Sequence, residues 1–135
     1  MKNYNWQQTD TQFLEALLLA TGGDGSAPLQ EVLLMADALD GTIFTLKEVE
    51  ENLLKLVAAE VVSINKNKLS LNPEFLQQYE ALTLQEGLTE NDNLLMNLLQ
   101  QQTITEETIK AAKDGELKKY KLQNHYQAYQ EQFGS

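Results

Sequence analysis

Residues 42–76, TIFTLKEVEENLLKLVAAEVVSINKNKLSLNPEFL, decide the fold. Thr45 followed three residues later by Glu48 is a capping box, and Phe44 stands where a hydrophobic staple would meet Val49. A helix with its cap therefore spans 45–60. Its core face is Val49, Leu53, Leu56 and Val57, with Leu46 and Leu54 on the flanks. The opposite face carries Lys47, Glu48, Glu51, Asn52, Lys55 and Ala59. Next come Val61-Val62-Ser63-Ile64, a four-residue polar turn from Asn65 to Lys68, and Leu69-Ser70-Leu71. Period-two alternation places Val62, Ile64, Leu69 and Leu71 on one side, as a two-stranded hairpin requires. Asn72-Pro73 then starts another helix, in which Phe75, Leu76 and Tyr79 are spaced to pack back on the core.

Upstream, Phe13, Leu14, Leu17, Leu18 and Ala20 mark a buried helix face, and Thr9 with Gln12 fits a capping box. Gly22, Gly23 and Gly25 stop that helix. The same run lacks the Lys-Ser/Thr of a phosphate-binding loop and the acid spacing of an EF-hand. Pro28 sits where helix starts favour it. Leu29, Val32, Leu33, Ala36 and Leu39 form an inner face opposed by Gln30, Glu31, Asp37 and Asp40. Gly41 ends this helix, Ile43 is expected to plug the turn from the core side, and Ser26-Ala27 can add a short strand to the hairpin.

Downstream, Leu94, Leu95, Leu98 and Leu99 form a helical stripe behind a Thr89–Asp92 cap. Thr103 with Glu106 caps a further helix ending near Asp114-Gly115. A last helix from Glu116 aligns Leu122, Tyr126, Tyr129 and Phe133. This aromatic stripe covers the core, or meets a partner or a second copy of the chain.

Composition narrows the chemistry. With 135 residues and 42% hydrophobic content, the chain builds one core plus an appendage. No apolar run approaches a membrane span, and Met1 to Trp6 lacks the order of a signal peptide, so the expected compartment is the cytoplasm. Zero cysteines exclude disulfides, thiolate metal sites and a Cys nucleophile. The sole imidazole, His125, has no Ser flanked by nucleophile-elbow glycines, and the remaining ligands for a metal are carboxylates at helix starts. Neither a catalytic residue nor a cofactor or metal is expected. Lys118, Lys119 and Lys121 form the one basic cluster, near a helix end.

Residues 10–82 resemble the winged-helix (winged helix-turn-helix) superfamily, through Leu29–Asp40 (LQEVLLMADALD), Thr45–Val62 (TLKEVEENLLKLVAAEVV) and Leu69–Phe75 (LSLNPEF). More narrowly they are similar to a type of small bacterial winged-helix protein. The resemblance implies a mainly α fold with a β-hairpin wing over 1–82, and the helical stripes beyond it are read as a C-terminal helical extension over 83–135, packed on the core or in a dimer. Where such domains usually place Gly, between the third helix and the wing, this chain has Glu60. A left-handed Glu there costs about 1 kcal/mol, or the junction turns differently.

A winged helix would read DNA with helix 45–60 in the major groove and wing 61–72 along the backbone, which makes Lys47, Glu51, Asn52, Lys55, Lys66, Asn67 and Lys68 the candidate contacts. Charge opposes that use. Residues 1–82 hold five Lys against twelve acids, the whole chain carries −10, and there is no Arg to fork onto phosphate or guanine. The expected function is thus a non-catalytic protein-interaction or regulatory module, with a protein partner or self-association. Its contacts would be the wing tip, or Leu122, Tyr126, Tyr129 and Phe133 as anchors. A DNA-binding regulator is the alternative.

Overall fold

The carboxylate of Asp10 turns back to accept the Gln7 amide at 2.7 Å, and this bond starts helix α1 (Gln8–Thr21) with Gln7 as its cap. The expected Thr9 cap is thus displaced by two residues, because Asp10 rather than Gln12 supplies the returning side chain. The computed structural model describes residues 5–86 and 94–133, the side chains at 40, 85, 86 and 133 excepted. Gly22, at φ 73°, closes α1 in the left-handed conformation.

A two-residue strand β1 (Ser26–Ala27) leads to helix α2 (Leu29–Asp40), for which Pro28 is the cap rather than the first turn. Gly41, again left-handed at φ 73°, donates its N–H to Asp37 O at 2.9 Å and ends the helix. Here two expectations are corrected. Ile43 is 70% exposed and Leu39 is 44% exposed, whereas Phe44 is buried and meets Phe13 edge-on at 5.7 Å. Phe44 fills the corner because it precedes the Thr45 cap and points at α1, leaving Ile43 on the outside of the turn.

Helix α3 (Leu46–Ala58) begins as read: Thr45 Oγ1 accepts the Glu48 amide at 3.1 Å and Glu48 Oε1 accepts the Thr45 amide at 2.9 Å. Val49, Leu53 and Leu56 are fully buried. Glu60 takes φ 60°, with its N–H on Val57 O and the Val61 N–H on Leu56 O, the paired bonds of a Schellman end. The junction is the left-handed one. Glu60→Gly is therefore expected to stabilise the fold by about 1 kcal/mol, a rise of a few degrees in Tm on thermal unfolding.

Strands β2 (Val62–Asn65) and β3 (Lys68–Leu71) pair antiparallel, Val62 opposite Leu71 and Ile64 opposite Leu69, and β1 joins the other side of β3. The connection is a two-residue turn rather than the expected four. Lys66 and Asn67 both hold positive φ (53° and 64°), which matches the right-handed strand twist and lets pairing run to Asn65 and Lys68. Asn72 Oδ1 accepts the Glu74 amide at 2.8 Å and opens helix α4 (Pro73–Glu86).

The Thr89–Asp92 cap lies outside the described residues. Beyond it, helix α5 (Leu94–Gln100) sends Leu95, Leu98 and Leu99 into the same core as Phe13 and Leu17. Helix α6 (Glu106–Asp114) is capped by Thr105, not Thr103. Thr105 and Thr108 exchange hydroxyl–amide bonds of 3.1 and 2.9 Å, and Ile104 and Ile109 occupy the staple positions. The last segment is two helices rather than one: α7 (Glu116–Tyr120) and α8 (Leu122–Phe133) part at Lys121, φ 57°. The break lets α7 lie on β2 while α8 packs on α2 and α3. The fold is mainly helical with one small antiparallel sheet, and its apolar core continues across residue 83. No helix among the described residues is long and apolar enough to cross a membrane.

Candidate functional site: the outer face of α3 and the adjoining groove

Lys55 lies on the side of α3 that amphipathic spacing turns outward, yet it is 6% exposed. Its ammonium donates to Asp10 Oδ2 at 2.5 Å and to Asn5 O at 3.0 Å, and stands 5.8 Å above the Trp6 ring centre. One turn earlier, Asn52 is 1% exposed. Its Oδ1 accepts the Thr9 hydroxyl at 3.3 Å, and its Nδ2 donates to Thr9 O at 3.5 Å. The start of α1 therefore covers the middle of α3. Asn52 and Lys55, expected as exposed contacts, are fastened inside the chain because Asp10 supplies the charge that a buried ammonium needs.

Asp10 itself is fully buried, and its second oxygen has no hydrogen-bond partner. Burial raises its carboxyl above the usual range, although the Lys55 ammonium and the Gln7 N–H oppose the shift. The pair fixes α1 against α3 without offering a reactive group to solvent.

The opposite flank of α3 is lined by the tail. Helix α6 packs along α3, and Glu116, at the start of α7, accepts the Ile64 amide of β2 through Oε2 at 3.1 Å. Between α3 and α6–α8 runs a groove of about 750 Å³. Leu54, Leu117 and Leu122 supply apolar lining. Glu50 and Glu51 stand on the α3 wall, and Lys113, Asp114, Lys118 and Lys121 stand opposite, all six exposed.

Of the other sequence-derived contacts, Lys47 and Glu51 remain exposed, as do Lys66, Asn67 and Lys68 at the hairpin tip. The tip is solvated, so Lys66→Glu with Lys68→Glu is expected to leave unfolding free energy within about 0.5 kcal/mol of the parent, as chemical denaturation would show. Leu122, Tyr126 and Tyr129 are buried in the chain's own core, and the Tyr126 hydroxyl donates to Phe44 O at 2.6 Å. They are consumed as internal anchors. The Phe133 side chain lies outside the described residues. His125 stacks on Tyr120 at 4.4 Å, and no group of three potential ligands gathers for a metal among the described residues.

No family model, no curated protein and no solved structure matches this chain.

The sequence reading missed Asp10, Trp6, Lys113 and Leu117. Asp10 carried a signal, because it begins the i, i+3, i+4, i+7 series completed by Phe13, Leu14 and Leu17. Lys113 and Leu117 carried none, since they join the site only through the tail's return to α3.

Proposed function

We propose that this chain is a non-catalytic winged-helix module that binds another protein in a regulatory role. The order α1, β1, α2, α3, β2, β3 supports the winged-helix reading, with α3 as the recognition helix and residues 66–67 as the wing tip. The observation that carries the functional reading is the covering of α3. Asn52 and Lys55 are turned onto α1, α6 lies alongside, and what stays outward includes Glu50 and Glu51. Entry into a major groove requires that face to be bare and attractive to phosphate.

One observation favours DNA binding as a second reading: Lys66 and Lys68 are exposed at the wing tip, where a wing meets the phosphate backbone. The test is affinity capture with the tagged protein from its native lysate, with and without nuclease, beside anisotropy titration of a random DNA duplex at low salt. A protein partner that survives nuclease, with no saturable DNA binding, is expected. Duplex binding that falls steeply with salt would overturn the reading in favour of a DNA-binding regulator.

A further inference from the structure

We propose that the groove between α3 and α6–α8 takes an amphipathic peptide segment of a partner protein, one that sets acidic side chains beside an apolar anchor. The inference rests on the protein-binding reading and names its site. Leu54 and Leu117 are half-buried over a floor that includes the buried Leu122, so the groove offers apolar surface that its own chain leaves partly uncovered. Its volume, about 750 Å³, falls in the range of pockets that hold ligands through an apolar lining and a few placed polar groups.

Charge selects the occupant. Residues 110–121 hold Lys110, Lys113, Lys118, Lys119 and Lys121 against Asp114 and Glu116, a net +3 in a chain of −10. Three of these lysines line the groove, and the single ion pair among the described residues is Lys55 with Asp10. Among the described residues, the groove lysines thus have no carboxylate at ion-pair distance. Glu50 and Glu51 face them, and Asp114 lines the same side as the lysines, so the α3 wall carries two acids and the tail wall three lysines against one acid. An amphipathic segment entering it would lay its acidic edge along α6–α7 and turn a basic or neutral edge to α3. The rest of the protein's negative field is screened beyond about 8–10 Å at physiological salt, so the local wall decides the sign. Helix-in-groove recognition reads anchors at i, i+3, i+4 and i+7, which suits a linear segment.

A random library of peptides about 12 residues long would be selected against the full-length protein and against its Lys113→Glu/Lys118→Glu/Lys121→Glu variant. Bound peptides would then be located by amide shift changes. The expected result is enrichment of Leu- or Phe-containing acidic peptides that shift Leu54, Leu117 and Leu122 and bind the variant at least tenfold more weakly. Circular dichroism of the variant checks that its fold is unchanged; should it unfold, Lys113→Gln/Lys118→Gln/Lys121→Gln replaces it. Enrichment of basic peptides, equal binding to both proteins, shifts confined to another surface, or no enrichment would each overturn the proposal. A lysate partner captured equally by parent and variant would remove the groove assignment while leaving the protein-binding reading intact. Salt-sensitive DNA binding would remove that reading instead.

Discussion

Lys55→Ala is expected to lower the unfolding free energy by about 3–5 kcal/mol, a large share of what a domain of this size has to lose. The substitution leaves Asp10 as a buried carboxylate with one amide, the Gln7 N–H, in place of its countercharge. Loss of packing against Trp6 adds to the effect. The control is the double change Asp10→Leu/Lys55→Met, which replaces both charges by apolar groups. It is expected to recover most of the loss or to exceed the parent. Equal destabilisation by single and double variants in urea titrations would mean that the pair is held for shape rather than charge.

The pair also fixes a pH dependence. Because burial raises the Asp10 carboxyl, the folded state binds a proton more readily than the unfolded chain, whose carboxyl titrates near 3.8. Stability from Asp10 thus increases as pH falls through its folded pKa, levels off below 3.8, and is lost as pH rises through the same window. Measured against Asp10→Asn, the parent should gain relative stability on mild acidification. A relative loss over that range would show that Lys55 outweighs burial.

Leu99→Ala is expected to cost about 2–5 kcal/mol, although Leu99 stands well outside the stretch that defines the hairpin. Leu99 is fully buried, and it shares a core with Phe13 and Leu17. Its truncation should therefore weaken the whole molecule in one transition, with hydrogen-exchange protection falling across α1 and the sheet together. The matched control is Leu84→Ala, 83% exposed, which should change stability by no more than about 0.5 kcal/mol. Loss of protection confined to α5–α8 would instead divide the chain into two units.

Local chemistry explains how much of this was legible beforehand. The Thr45–Glu48 cap, the spacing of Val49, Leu53 and Leu56, and the alternation from Val62 to Leu71 are signals of neighbouring residues, and the structure repeats them. Errors arose where two similar signals competed. Thr103 and Thr105 both precede suitable partners, and Ile43 and Phe44 are both apolar beside the same turn. Lys121 gave no warning of a break, being neither Gly nor Pro. The site was the least legible part. The Asp10–Lys55 pair and the groove wall of Lys113 and Lys118 depend on segments separated by tens of residues, which periodicity cannot join.

The bond from the Ile64 amide to Glu116 has a consequence for behaviour at high concentration. In the order β1-β3-β2, β2 is an outer strand, and its outward amides are a template on which another chain's strand can add. Glu116 occupies one of those donors and brings a negative charge to the rim, which blunts the β2 edge against strand addition. Glu116→Ala should uncover that donor, and light scattering of concentrated samples should then rise well above the parent's.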